Sequence, residues 1–242
     1  MQDIAVLIIS IGVILISAGF FTNGVEWLGR KMNLTQGAVG SVLAAVGTAL
    51  PETVIPLIAI LFGAGETAYE IGIGAILGAP FMLATLAIFF SGGSVLLFRS
   101  RRDGNYPRIE PDPAVIKRDL RFFLLVYSVA VIASFTGGVL KVLVVAGLVG
   151  AYVFFVHKTF TEGTCMDEEC ELEPLIFART HEDPPMHRVI LQVLLAFAGI
   201  VIGAKFFVDG IEHLSINLGA PPLVISLLIA PVATEMPEKF NS

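Results

Sequence analysis

Seven apolar runs constrain this sequence more than any other feature, and several of them reach the length of about 20 residues that crosses a bilayer as a helix. They lie at roughly 4–26, 34–62, 71–98, 121–135, 138–156, 189–211 and 220–238. Hydrocarbon offers no water to satisfy backbone N–H and C=O groups, so spans of this length satisfy them internally as helices. Apolar residues make up 55% of the chain, which fits an all-α membrane protein and little else. The run Ile4–Phe21 has neither a basic n-region nor a small-residue cleavage site, so it reads as the first span rather than a removed leader. Span two, at 34–62, is long enough for two half-helices, and spans four and five meet tightly at Phe135-Thr136-Gly137-Gly138.

Lys and Arg set the expected orientation. Arg30 and Lys31 follow span one, and Arg99, Arg101, Arg102, Arg108, Lys117, Arg118 and Arg121 follow span three. The loop after span two carries only Glu66 and Glu70. The N-terminus is therefore expected outside, in a cell membrane, with the loop 157–188 in the cytoplasm. That loop holds Cys165-Met-Asp-Glu-Glu-Cys170 and five acids between Asp167 and Glu173. It supplies much of the net charge of −6, and it reads as a solvated acidic loop with reduced thiols. A soft-metal or regulatory Ca²⁺ site is the alternative. No basic-aromatic patch marks a nucleic-acid partner, so the expected partners are the lipid bilayer and small inorganic cations.

An internal repeat runs through the chain without a gap. Ile16–Thr53 aligns with Ile202–Lys239 at an offset of 186, with 12 of 38 positions identical. The identities include Phe20/Phe206, Phe21/Phe207, Gly24/Gly210, Glu26/Glu212, Thr48/Thr234, Pro51/Pro237 and Glu52/Glu238. Five spans separate equivalent points, and an odd number reverses direction across the membrane. The plan is therefore an inverted-topology repeat of five transmembrane helices each, with binding expected at the midplane. The first repeat would cover 1–156, the loop 157–188, and the start of the second repeat 189–242. The second copy reaches only its second helix, so a whole protein of this plan would run to roughly 340 residues and ten spans.

The repeat centres on Gly47-Thr48-Ala49-Leu50-Pro51-Glu52 and Ala233-Thr234-Glu235-Met236-Pro237-Glu238. A proline lacks the amide hydrogen and pushes away the carbonyl four residues back. Pro51 and Pro237 are thus expected to break their helices and to free the carbonyls of Gly47 and Ala233. Freed carbonyls survive at membrane depth where protein or a cavity satisfies them. An ionised acid at the bilayer centre costs at least about 2.5 kcal/mol, which marks Glu52 and Glu238 as functional. Carbonyls, the Thr48 and Thr234 hydroxyls and two carboxylates form an oxygen-only set suited to Ca²⁺ or Na⁺. The alternative is a kinked helix with a satisfied acid. Lys205 and Asp209, four apart, are expected to pair on one helix face. Glu26 and Glu212 read as solvated acids at helix ends, and Trp27 as an interfacial anchor.

On these residues the chain resembles the membrane region of the Na⁺/Ca²⁺ exchangers, the cation/Ca²⁺ antiporter family. The family signature Gly-Thr-Ser-Leu-Pro-Glu appears as Gly47–Glu52, and its Gly-Asn-x-x-Gly-Ser-Asn helix corresponds to Gly74-Ala75-Ile76-Leu77-Gly78-Ala79-Pro80. The resemblance implies that Glu52 and Glu238 are paired Ca²⁺ ligands with Thr48 and Thr234 beside them. It implies antiport of Ca²⁺ against Na⁺ or H⁺, with these ions as cargo and no tightly bound cofactor. The serine implied as a Na⁺ ligand is replaced by Ala49 in one copy and by a third carboxylate, Glu235, in the other. Ala75, Ala79 and Pro80 also offer no side-chain oxygen, so the pattern admits proton coupling and an H⁺-coupled exchanger of another divalent cation. An intramembrane di-acid enzyme is the reading from another class. It lacks an evident nucleophile–base pair.

Overall fold

The computed structural model describes residues 2–32, 44–63, 65–97, 113–162, 173–178 and 183–241, with side chains at all of these except 2, 44–48, 113–115, 159–162, 233 and 235–241. The chain is helical, and no strand occurs among the described residues. In order come α1 (Gln2–Lys31), α2 (Ala44–Phe62) and α3 (Gly65–Met82). A π-helical turn (Leu83–Ala87) leads into α4 (Ile88–Leu97), followed by α5 (Pro113–Ser134) and α6 (Gly138–Glu162). A 3-10 turn (Ile176–Ala178) precedes α7 (Met186–Leu218) and α8 (Pro222–Asn241).

Four of these helical stretches are long and apolar enough to cross a membrane: Asp3–Lys31, Gly65–Leu97, Gly138–Lys158 and Met186–Leu218. The apolar parts of α2 and α8, Ala49–Phe62 and Pro222–Val232, are shorter. At about 1.5 Å per residue each covers only part of a hydrocarbon core of about 30 Å. Helix α5 carries Lys117, Arg118, Asp119 and Arg121 early in its length, so only its later turns are apolar. The π turn follows Pro80 within one helical stretch, and Thr85 Oγ1 donates to the Phe81 carbonyl at 2.7 Å. Such turns absorb an extra residue without ending the helix.

The chain divides into two compact units, Met1–Gly93 with Met166–Ser242, and Ser94–Cys165. The second unit contains the α5–α6 hairpin. Its turn is the Phe135–Gly138 junction expected from the sequence: Thr136 Oγ1 donates to the Ala133 carbonyl at 2.8 Å, and Gly138 takes φ +61°, where a Cβ is disfavoured. Phe122 and Phe155 stack at 4.2 Å, while Leu125, Ile132, Val139 and Phe154 are exposed, as suits helices solvated by lipid.

In the first unit α1 and α7 lie antiparallel along each other. Leu7 meets Gly210, Ile14 meets Gly203, and Gly24 meets Val193. Each step up α1 is matched by an equal step down α7, so the two helices stay in contact over most of their length. The contact Leu7–Gly210 is the repeat equivalent of Val193–Gly24 at the same offset of 186. The core between them collects Ile14 and Phe21 of α1, Ile55 and Ala59 of α2, Ile200 and Phe207 of α7, and Ile225 and Ala230 of α8. Helix α7 ends on Gly219 at φ +62°, whose N–H bonds to the Ile216 carbonyl while the Ala220 N–H reaches that of Ser215. This is the usual glycine stop, and Pro221-Pro222 then start α8.

Candidate functional site

The two repeated Pro-Glu elements fall on α2 and α8, which touch each other and share one apolar core through Val54 and Ile55 on one side and Ile225 and Ala230 on the other. The expectation of broken helices is corrected here. Helix α2 runs on through Pro51 and Pro56, and α8 runs on through Pro237. Each proline forfeits one intrahelical hydrogen bond, but the turns on both sides keep theirs, and helices in lipid tolerate that loss when neighbours pack around it. Threonine hydroxyls add local support. Thr53 Oγ1 donates to the Ala49 carbonyl at 2.9 Å, and Thr234 Oγ1 to the Ala230 carbonyl at 3.1 Å.

Glu52 is half-buried next to the fully buried Pro51, and its Oε2 atom is sealed from solvent. Thr234 is buried, at 4% exposure. Its hydroxyl proton is spent on Ala230, which leaves oxygen lone pairs that can face a cation. Gly47 and Ala233 lie in helical backbone four residues before Pro51 and Pro237. The side chains of Thr48, Glu235 and Glu238 lie outside the described residues. Among the described residues no group of three or more His, Cys, Asp or Glu side chains is placed to hold a metal ion.

Three further prolines matter that the Pro-Glu pattern did not draw attention to. Pro56 has no N–H for the carbonyl of Glu52 itself, Pro231 none for Leu227, and Pro80 none for Ile76. Their spacing is plain in the sequence, four residues after Glu52 and three before Thr234. The Leu227 carbonyl lies against Gly78 of α3, within 2.6 Å of where a Cβ would stand, and the Pro231 ring within 2.4 Å. Gly74, one turn earlier, faces the Leu223 carbonyl and Ser226. Ser226, fully buried, donates to the Ile71 carbonyl at 2.7 Å. Glycines 74 and 78 therefore let α3 and α8 touch backbone to backbone, the small-residue packing usual between membrane helices.

A second polar cluster occupies one end of the α1–α7 pair. Trp27 is buried at 3% exposure, not an anchor facing the interface, and its indole N–H donates to the Glu173 carbonyl at 2.9 Å. Asn23 Nδ2 donates to the carbonyls of Glu173 and Pro174, both at 3.4 Å, and its Oδ1 accepts from Ile176 N–H at 3.1 Å. Gln192 Nε2 donates to that same Oδ1 and to the Phe20 carbonyl, while its Oε1 accepts from Phe177 N–H, each at 2.9 Å. Leu175 and Ala178 pack with Trp27 and Val189, and Lys31 pairs with Asp183 nearby. The 173–178 part of the expected solvated loop is thus docked. Its cysteines, Cys165 and Cys170, lie outside the described residues.

Other charges also depart from expectation. Lys205 and Asp209 are both exposed, and no ion pair joins them. Lysine N-terminal to the acid is the weaker order for such a pair. Glu26 and Glu212 are half-buried rather than solvated.

Membrane-length helices that pack through small residues define a polytopic membrane protein. The family model described as sodium/calcium exchanger protein matches residues 3–160 and 188–242, and the chain belongs to that family. It is also similar to an uncharacterised membrane protein of Methanocaldococcus jannaschii, 23% identical over 234 residues, which are 96% of this chain and 68% of that protein. No solved structure matches the chain. The family consists of transporters and not enzymes, which sets aside the di-acid enzyme reading.

Proposed function

We propose that the protein is a secondary antiporter that exchanges Ca²⁺ for Na⁺ or H⁺ by alternating access. The observation that carries this is Glu52: an acid with one oxygen sealed from solvent, on a short apolar helix inside the shared core, four residues before a second proline. An ionisable side chain at membrane depth is rare and marks an ion pathway or binding site by default. In this reading Glu52 and Glu238 hold the divalent ion, with the Thr48 and Thr234 oxygens and the carbonyls of Gly47 and Ala233 around it. Two carboxylates neutralise one Ca²⁺, and competing Na⁺ or H⁺ occupy the same acids when it leaves. The antiparallel α1–α7 pair, with Leu7–Gly210 and Val193–Gly24 as repeat-equivalent contacts, supports an inverted five-helix repeat with 1–156 as the first copy and 189–242 opening the second. The N-terminus then faces out of the cell membrane and 157–188 faces the cytoplasm.

A second reading, proton-coupled exchange of another divalent cation, is favoured by Ala49, Ala75, Ala79 and Glu235, which remove neutral side-chain ligands and add an acid. Glu235 is then the proton carrier. Uptake of radiolabelled Ca²⁺ into proteoliposomes holding the full-length protein, under a Na⁺ gradient and a pH gradient in turn, tests both. Uptake driven by Na⁺ selects the first reading. Ca²⁺ uptake driven only by pH makes H⁺ the coupling ion of the first reading, and pH-driven uptake of Mn²⁺ in place of Ca²⁺ selects the second. Absence of Ca²⁺ uptake under both gradients overturns Ca²⁺ as cargo.

A further inference from the structure

The α1–α7 pair is closed differently at its two ends. At one end the segment 173–178 lies across both helices, bonded to Asn23 and Trp27 of α1 and to Gln192 of α7. Gln192 is fully buried and Asn23 nearly so, and together they accept both the Ile176 and Phe177 amides. Phe177 also sets its ring edge against Phe20 at 5.5 Å. At the other end the one cross-link among the described residues is an exposed hydrogen bond, Asn217 Nδ2 to Asp3 Oδ2 at 2.9 Å.

The repeat offset allows a residue-by-residue comparison of the ends. Asn23 corresponds to Asp209, Trp27 to His213 and Gln192 to Val6. Asp209, His213 and Val6 are exposed. A carboxylate has no N–H to give, valine has no polar atom, and neither can rebuild the socket. Helices that are equivalent in sequence therefore end in chemically unequal ways.

We propose that the segment 173–178 is a one-sided latch that sets the balance between the two facing states of the transporter. The inference rests on the antiporter reading above. In an inverted repeat the two facing states exchange the arrangements of equivalent helices. If the ends were equal the states would be equal in energy. Buried hydrogen bonds at one end stabilise the state in which they form. Apparent affinity at each face falls with the fraction of molecules facing it, so loosening the latch changes the ratio of affinities at the two faces. The device acts without touching the cation.

The test uses the full-length protein in oriented proteoliposomes. Trp27→Phe keeps the ring and removes one donor; Gln192→Leu removes three hydrogen bonds; Asn217→Ala at the opposite end is the control. Two quantities are read: hydrogen exchange of the peptide holding Ile176 and Phe177, and apparent affinity for radiolabelled Ca²⁺ at each face. The latch predicts faster exchange in both variants and an affinity ratio changed by about threefold or more, with neither moved by the control. Faster exchange with an unchanged ratio makes the segment a structural tie and overturns the proposal, as does unchanged exchange. Absence of Ca²⁺ flux in the parent protein identifies a failure of the antiporter reading itself, and the proposal falls with it.

Discussion

Gly78→Ala is the sharpest perturbation of the packing that brings α3 to α8. The new methyl would stand 2.4 Å from Pro231 Cγ, 2.6 Å from the Leu227 carbonyl oxygen and 2.9 Å from Pro231 Cδ. Real carbon contacts need about 3.5 Å or more, and neither a proline ring nor a backbone carbonyl can swing aside. The helices must therefore part by about 1 Å. Overpacking of this kind costs about 1–3 kcal/mol. Parting also stretches the buried bond from Ser226 to the Ile71 carbonyl, 2.7 Å in the native packing and worth about 0.6–1.7 kcal/mol in a membrane. Against this, alanine gains about 1 kcal/mol over glycine in helix propensity. The net destabilisation is about 2 kcal/mol. Gly147→Ala is the matched control, because nothing lies within 4 Å of its added methyl. Thermal unfolding of the purified protein, followed by tryptophan fluorescence, compares the two. Gly78→Ala is expected to melt several degrees below the parent, and Gly147→Ala at or slightly above it. Equal melting temperatures for the two variants would refute the close crossing.

Two further outcomes follow from the same geometry. Thr234→Val removes a buried hydroxyl whose proton serves only the local Ala230 carbonyl; stability should hold, while apparent cation affinity drops about tenfold, or 1.4 kcal/mol, and Thr234→Ser restores it. Lys31→Met breaks an ion pair whose Asp183 side chain is 80% exposed, so unfolding should move by less than about 1 kcal/mol; a larger loss would mean that this pair, and not the buried amides, holds the 173–178 segment.

Much of the architecture can be read from local sequence because it depends on local physics. Apolar runs give the helices, the Thr-Gly-Gly junction gives the α5–α6 turn, and Gly74 and Gly78 mark the face that meets another helix. Pro51 and Pro237 mislead because the cost of a helical proline is learned from isolated helices, whereas the backbone of α2 and α8 continues helical through both. Trp27, next to Arg30 and Lys31, has the composition of an interfacial anchor. Its true acceptor, the Glu173 carbonyl, is 146 residues away, beyond what any local pattern encodes. Lys205 and Asp209 have the right spacing for a pair, but spacing does not draw two exposed side chains together. Glu52 and Thr234 stand out in the sequence because chemistry at membrane depth singles out an acid and its oxygen neighbours, and the repeat gives each a counterpart; the structure adds that Thr234 is buried and Glu52 half-buried.

Cation flux with and without the Glu52 carboxylate decides whether that acid carries exchange. The full-length protein and its Glu52→Gln variant would be reconstituted in proteoliposomes, and radiolabelled Ca²⁺ uptake measured against outward Na⁺ and H⁺ gradients. Gradient-driven uptake is expected in the parent and a loss of about a hundredfold or more in the variant, with unfolding temperature little changed, since the amide fills the same volume but cannot neutralise the ion. Parent-like uptake by Glu52→Gln would rule out Glu52 as a cation ligand, because the exchange would then proceed without its charge.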